Sequence, residues 1–156
     1  MTKEVLETIE ALAENEMLVS RLYRAFSERF PDHRDFWGKM AEEETQHANM
    51  IRSLSPDVRE GAVRFKGDAL DSTSADMFRD YLKFSLARTL EQGISLEDAF
   101  ETALAIEHDL IERGFFTRFQ AKTKDLALIF EGLMSSTREH HRRLAQAAEK
   151  SRRSAT

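Results

Sequence analysis

The sequence contains no cysteine, which excludes disulfide bonds, thiolate-bound zinc, iron–sulfur clusters and a thiol nucleophile. A metal ion bound by this chain must therefore use histidine and carboxylate ligands. Glycine and proline are also scarce, with six and two among 156 residues, which is too few turn residues for an all-β fold. Together with 33 % charged residues, this composition favours one all-α domain.

Long apolar runs and long basic stretches are missing as well. No segment approaches the run of about 18 apolar residues that a membrane-spanning helix needs, and the first residues lack the apolar core of a signal peptide. The formal net charge is −5, and basic residues cluster only around Arg142 and in the segment 150–153. We therefore expect a cytoplasmic protein with neither nucleic-acid nor membrane partners.

Hydrophobic periodicity predicts four long amphipathic helices, over about residues 5–30, 32–54, 96–115 and 125–148. The third begins at a capping box, Ser95 to Asp98. The connection between the second and third helices is long and contains a shorter helix over about 74–91. The sequence thus predicts a helical bundle over residues 1–150 and a flexible polar tail over 151–156.

Five ionisable residues occupy positions in the apolar stripes, where the predicted core lies: Glu16, Glu44, His47, Glu107 and His140. On the second helix, Glu44 and His47 are three residues apart and face inward together. The first and third helices each contribute one Glu, and the fourth contributes one His. All four helices therefore direct polar groups toward a single layer of the core.

Burying carboxylates and imidazoles in an apolar layer costs several kcal/mol each unless the groups are paired, protonated or bound to metal. A divalent metal ion removes this penalty most directly. Oxygen and imidazole ligands without thiolate suit iron, manganese or zinc. The spacing therefore predicts a metal site in the polar layer, and a metal-free layer of protonated carboxylates hydrogen-bonded to histidines is the alternative.

Several short motifs surround these residues. Tyr23 follows Glu16 by seven residues, and the second helix contains Phe-Trp at 36–37 and Ala-Glu-Glu-Glu-Thr-Gln-His-Ala at 41–48. The second half contains Ala-Ile-Glu at 105–107 and Glu-His at 139–140. In these motifs the chain resembles the rubrerythrin branch of the ferritin-like family, over about residues 5–54 and 96–148.

The resemblance implies a ferritin-like four-helix bundle with a long crossover between its second and third helices. It also implies iron, one or two ions per chain, and reaction with peroxide or dioxygen. Glu44 would bridge two ions, His47 and His140 would each give one imidazole, and Glu16 and Glu107 would be terminal ligands. Tyr23 is the candidate catalytic residue, through a hydrogen bond to a ligand carboxylate.

The chain departs from the family pattern at two points. Thr137 stands three residues before His140, where the family has a second bridging Glu, and a hydroxyl is a poor ligand for ferrous iron. A single-iron site is therefore an alternative. Asp109, Glu112 and Glu139 are candidate substitutes for the missing carboxylate, and Asp109 is also a second candidate for the role of Glu107. The rubredoxin domain is also missing, because the chain has no cysteine, so electrons would come from a separate donor.

Phe115, Phe116 and Phe119 exceed what one buried stripe holds, so some of them contact the crossover or another subunit. We expect a homodimer on this basis. Two other functions remain open. One is a metal-free helical scaffold or interaction domain that has lost the iron chemistry, and the other is iron storage in a large cage.

Overall fold

The computed structural model describes residues 2–67 and 72–155, and in these residues the fold is all-α apart from one short ribbon. Its long helices are α1 (Thr2–Arg29), α2 (Arg34–Arg52), α4 (Ser72–Gln92), α5 (Leu96–Arg113) and α6 (Lys124–Ala155). A short helix, α3 (Ser55–Arg59), follows α2. The predicted long helices correspond to α1, α2, α5 and α6, and the predicted short helix corresponds to α4. Part of the predicted crossover, at 68–71, lies outside the described residues.

Local signals explain where α5 and α6 begin and end. The Ser95 Oγ accepts a hydrogen bond from the Asp98 N–H at 3.1 Å, as the capping box predicts. Gly114 ends α5 in the left-handed conformation, with φ of 55°. Helix α6 continues through 151–155, so these residues are helical where a separate tail was predicted. Arg152 and Arg153 both form ion pairs with Glu149, and such i,i+3 and i,i+4 pairs support the last turns.

Helix α1 is the centre of the packing, because it lies along both α2 and α4, while α5 lies along α6. Trp37 of α2 is fully buried and joins three helices. Its ring centroid lies 5.5 Å from that of Tyr23, 4.9 Å from that of Phe26 and 5.1 Å from that of Phe100. This aromatic cluster fixes α1, α2 and α5 relative to one another.

A two-stranded antiparallel ribbon ties the crossover to the connection between α5 and α6. Strand β1 (Val63–Phe65) pairs with β2 (Phe119–Ala121), so that Phe65 lies opposite Phe119. The Phe119 ring also stacks on Phe130 of α6, with 5.1 Å between centroids. The sequence did not predict this ribbon, because strands of three residues are too short to show an alternating pattern.

The three phenylalanines that favoured a dimer are buried within the chain: Phe115, Phe116 and Phe119. Phe115 contacts Phe78 of α4, and Phe119 contacts Phe65, so the crossover covers them. The sequence allowed these residues to contact either the crossover or another subunit, and in the structure they contact the crossover. The homodimer stays a prediction, without support from these residues.

Within residues 2–67 and 72–155, no helix combines the length and the apolar composition needed to span a membrane.

Candidate metal centre

The five polar residues predicted to face the core all lie buried at the level where α1, α2, α5 and α6 meet. Their exposed fractions are 2 % for Glu16, 1 % for Glu44, 7 % for His47, and 0 % for both Glu107 and His140. Each lies among the apolar positions of its own helix, and burial of the apolar stripe carries the polar side chain inward with it. The layer is therefore a consequence of the same packing that forms the core.

Glu44 is the centre of this layer. Its Oε1 lies 2.6 Å from the His140 Nδ1, and its Oε2 lies 3.3 Å from the His47 Nδ1. The two imidazole rings stack with 5.2 Å between their centroids. One ligand atom from each of Glu44, His47 and His140 lies within 4.8 Å of the other two. This buried group could hold a metal ion.

Glu16 and Glu107 supply two more carboxylates. The Tyr23 hydroxyl donates a hydrogen bond to the Glu107 Oε1 at 2.7 Å, and the same oxygen lies 3.6 Å from the His140 Nδ1. The Oε2 atoms of Glu16 and Glu107 are both buried and have no hydrogen-bond partner. Buried polar atoms nearly always have partners, so two orphaned carboxylate oxygens in one layer are the atoms that an added cation would satisfy.

Two of the carboxylates, Glu16 and Glu44, differ in their protonation. Burial raises the pKa of Glu16 well above its ordinary value, and the neighbouring charge of Glu44 adds to this effect. Burial also opposes ionisation of Glu44, but hydrogen bonds from Glu16, His140 and His47 lower its pKa well below its ordinary value. In the absence of metal, Glu44 is therefore the ionised carboxylate and Glu16 is protonated.

The α5 and α6 side chains are also strongly perturbed. Burial raises the pKa of Glu107 to about 7, with the charge of Glu44 acting in the same direction. For His140 burial favours the neutral ring, but the hydrogen bonds to Glu107 and Glu44 outweigh it and raise the pKa to about 10. Burial likewise raises the pKa of Tyr23 well above its ordinary value, so its hydroxyl stays a donor. Without metal, a His140 imidazolium is thus paired with the Glu44 carboxylate.

The outward nitrogen of each histidine has a partner that the sequence did not predict. The His47 Nε2 lies 2.8 Å from the Ser136 Oγ, and the His140 Nε2 lies 3.0 Å from the Glu43 Oε2. Arg143 also donates a hydrogen bond to Glu43. Such partners fix the ring orientation and leave the inward Nδ1 atoms for a metal, which is the usual arrangement around metal-binding histidines.

Two alternatives left open by the sequence have clear positions in the structure. The Thr137 side chain is buried, but its hydroxyl donates to the Leu133 carbonyl at 2.9 Å, one turn back in α6. The Asp109 carboxylate accepts a hydrogen bond from Arg113 at 2.8 Å and is partly exposed. The polar layer therefore contains Glu107 rather than Asp109, and Thr137 supplies no carboxylate.

Comparison with protein-family models, with curated proteins and with solved structures finds no match for this chain. The class of protein is therefore defined by its own structure: an all-α protein with a buried carboxylate and imidazole group that could hold a metal ion.

Proposed function

We propose that this chain is a ferritin-like four-helix bundle of the rubrerythrin type. In this interpretation α1, α2, α5 and α6 are the four helices of the bundle, and the segment from α3 to α4 is the crossover. The support is the shared polar layer, to which all four helices contribute, and the chain length of the crossover between α2 and α5. The buried position of Trp37 beside this layer agrees with the motif that carries the resemblance.

We propose further that the layer binds iron, with one or two ions per chain, and that the protein acts on peroxide or dioxygen. The observation that carries this proposal is the convergence of Glu44, His47 and His140, buried and within 4.8 Å of one another. The donor set of nitrogen and oxygen without sulfur suits iron and also accepts manganese or zinc. The two orphaned oxygens of Glu16 and Glu107 add two carboxylate ligands to this set.

In this proposal, the chain's own residues have distinct roles. Glu44 contacts both histidines, so it would bridge two ions or orient one, and Glu16 and Glu107 would be terminal ligands. Bound ferrous iron would supply, one electron per ion, the two electrons that reduce a peroxide to water and the corresponding hydroxyl compound. The Tyr23 hydroxyl holds the Glu107 carboxylate in place through its hydrogen bond to Oε1. A separate protein or small molecule then returns the electrons.

Thr137 makes the two halves of the site unequal. Its hydroxyl is occupied by the Leu133 carbonyl, so the ion nearest His140 would have one carboxylate fewer than its neighbour. We therefore propose that this ion binds more weakly, and that a single ion is the usual occupancy. Peroxide turnover would then be slow, because the two electrons are not available at once.

A metal-free scaffold is the second candidate, and one observation favours it. His140 and Glu44 form a buried ion pair at 2.6 Å, and the protonated Glu16 donates a hydrogen bond to the Glu44 carboxylate. Most of the polar layer is thus satisfied without a cation. A scaffold would leave the orphaned carboxylate oxygens of Glu16 and Glu107 unexplained.

The experiment that separates the two candidates is the metal content per chain after anaerobic loading with ferrous iron and desalting. We expect one iron per chain, and its loss in the His47→Ala variant. The matched control is His108→Ala, which removes an exposed histidine outside the layer and should retain the iron.

Thermal unfolding gives a second measurement. Iron should raise the unfolding midpoint of the wild-type protein, because it binds the folded state, and should not raise that of His47→Ala. Absence of iron in the wild-type protein, with no change in its midpoint, would favour the scaffold.

A further inference from the structure

Helix α4 exposes a row of large apolar side chains. Six such side chains are exposed in the described part of the chain, and four of them belong to this helix of 21 residues. Their exposed fractions are 63 % for Met77, 43 % for Tyr81, 65 % for Phe84 and 68 % for Leu90. When the exposed Ala87 is included, each member lies three or four residues from the next, and such residues are neighbours on a helix surface. The row is therefore continuous along most of α4.

The opposite face of α4 is buried, and its second half is polar. Ala75, Phe78 and Leu82 are buried on this face, and α4 lies along α1. Farther along, the buried residues are Ser85 and Thr89, and the Thr89 hydroxyl donates to the Ser85 carbonyl at 2.8 Å. A surface helix ordinarily has its apolar residues on the buried side alone, whereas a helix with apolar residues on both sides is typically covered on both. The outward row therefore indicates a second contact surface.

The area of this row fits a protein interface. A large side chain has about 200 Å² of accessible surface, so the four exposed fractions amount to roughly 450 Å² of mostly apolar surface. Contiguous apolar patches of this size are uncommon on monomeric proteins and mark interaction surfaces. A standard interface buries about 800 Å² on each partner, of which about 57 % is apolar. The row alone thus supplies the apolar area that such an interface needs.

The charges beside the row are complementary to those of a second copy of α4. Asp80 lies toward the N-terminal end of the row, and Lys83 and Arg88 lie nearer its C-terminal end. All three are exposed, and no ion pair joins them to another residue within 2–67 and 72–155. A two-fold axis between Tyr81 and Phe84 relates two antiparallel copies of α4 and exchanges their ends. Asp80 of each copy then lies beside Lys83 and Arg88 of the other.

We propose that the row on α4 is the contact surface of a homodimer, in which two copies of α4 pack antiparallel across this axis. Phe84 of each copy contacts Tyr81 of the other, and Met77 lies against the aliphatic stem of Arg88. Acidic and basic residues are mixed around the row, whereas a lipid surface attracts helices with an excess of basic residues. The interface contains no residue of the polar layer, so this inference does not depend on the proposed iron chemistry.

The first test is the mass of the full chain in solution, measured by sedimentation equilibrium over a wide range of protein concentrations. We expect a reversible dimer with twice the chain mass of 18.0 kDa. Phe84→Glu should weaken association at least tenfold, because it buries a carboxylate from each copy near the axis. The matched control, Leu128→Glu, introduces the same charge at an exposed leucine of α6 and should dimerise as the wild type does.

Circular dichroism verifies the helical content of both variants. A wild-type protein that is monomeric at every concentration would overturn the proposal. A dimer whose affinity is the same in Phe84→Glu and in Leu128→Glu would also overturn it.

The second test exchanges the charges and examines the antiparallel arrangement. Asp80→Lys and Arg88→Asp each place like charges opposite one another, so each variant alone should dimerise at least tenfold more weakly than the wild type. An equimolar mixture of the two variants should recover most of the wild-type affinity. In the mixed dimer the new lysine of one copy faces the new aspartate of the other, and the second contact keeps the native Asp80 and Arg88 pair.

Recovery on mixing also excludes misfolding as the cause of the losses, since the mixture contains the same two chains. Fluorescence-detected sedimentation, with one variant labelled, measures the mixed dimer. A mixture that remains dissociated would overturn the antiparallel pairing and the proposal with it.

Discussion

The two helix pairs that form the polar layer contribute different sets of residues to it. Helices α1 and α2 contribute Glu16, Glu44 and His47, whereas α5 and α6 contribute only Glu107 and His140. The position that corresponds to Glu44 is Thr137, whose hydroxyl is turned to the α6 backbone. The first half therefore has a complete Glu-x-x-His pair, and the second half has its histidine without the carboxylate.

This difference explains why Glu44 serves both halves. Its two oxygens contact one histidine each, so the single carboxylate of α2 replaces the pair that a symmetric site would have. Glu43 of α2 adds a second carboxylate contact to His140, at its Nε2. The α5 and α6 half therefore depends on α2 for its negative charge. Four substitutions test this dependence.

The largest effect is expected for Glu44→Gln, which removes the one charge shared by the two halves. We expect loss of metal affinity greater than the roughly 10–100-fold typical of changes to the outer partners of a metal ligand. Titration with Co²⁺, followed by its visible absorption, measures this affinity without redox chemistry. Glu42→Gln alters an exposed carboxylate on the same helix and should leave it unchanged. Retention of wild-type affinity by Glu44→Gln would show that the ion does not bind in the polar layer.

Thr137→Glu should give the second half of the polar layer its own Glu-x-x-His pair. A carboxylate at this position lies three residues before His140, as Glu44 lies before His47, and the iron content should rise from one toward two per chain. The metal-free variant should be less stable than the wild type, because it adds a buried carboxylate to an acidic layer. Thr137→Val, which removes the hydroxyl alone, is the control and should not alter iron content. An unchanged metal content in Thr137→Glu would contradict this geometry.

The metal-free protein should lose stability as the pH rises from about 5 to about 9. The pKa of Glu107 is raised from 4.5 to about 7, and that of His140 from 6.5 to about 10. Between these values the folded state holds protons that the unfolded chain has released, so the free energy of unfolding falls with increasing pH. Thermal midpoints in the presence of a chelator measure this dependence.

Glu16 of α1, whose pKa is also raised by burial, contributes to this pH dependence together with Glu107 and His140. His140→Gln removes the group that titrates highest and should flatten the profile above about pH 7. A midpoint of the wild-type protein that stays constant or increases over the same range would contradict the proton-sharing described for the polar layer.

Tyr23→Phe should have the smallest effect, because it alters one hydrogen bond to one carboxylate of the second half. Removal of the hydroxyl leaves the Glu107 Oε1 without its donor at a buried position, which costs about 1–3 kcal/mol. Thermal unfolding should show a drop of several degrees, and metal affinity should fall only a few-fold. Tyr81→Phe changes an exposed tyrosine and should alter neither quantity. Equal unfolding midpoints for Tyr23→Phe and Tyr81→Phe would show that the Tyr23 hydroxyl does not contribute to the site.

The sequence predicted the helices and the inward polar residues for the same reason. A period of 3.6 residues defines one apolar face, and any polar residue on that face must be buried with it. Glu16, Glu44, His47, Glu107 and His140 all satisfied this rule, and all are buried. Capping chemistry likewise located the start of α5 at Ser95. These features depend on residues close together in the chain.

Other features could not be predicted, because they depend on how the helices meet. Glu43 and Ser136 lie beside the stripes of their helices, and only the approach of α2 to α6 brings them to His140 and His47. The ribbon between β1 and β2 pairs Phe65 with Phe119, a residue that the sequence alone could have left for another subunit. A groove between α2 and α6 likewise brings His47 and Gly132, 85 positions apart in the chain, into one lining.

The helical fold, the absence of sulfur ligands and the set of ionisable residues buried in the core therefore follow from the sequence alone. Tertiary structure decided which atoms of those residues meet, which carboxylate keeps its charge and where solvent reaches the layer. The physical reason is that helical periodicity fixes the direction of a side chain around its own axis. Distances between side chains on different helices, and hence their pKa values, are fixed only when the helices pack.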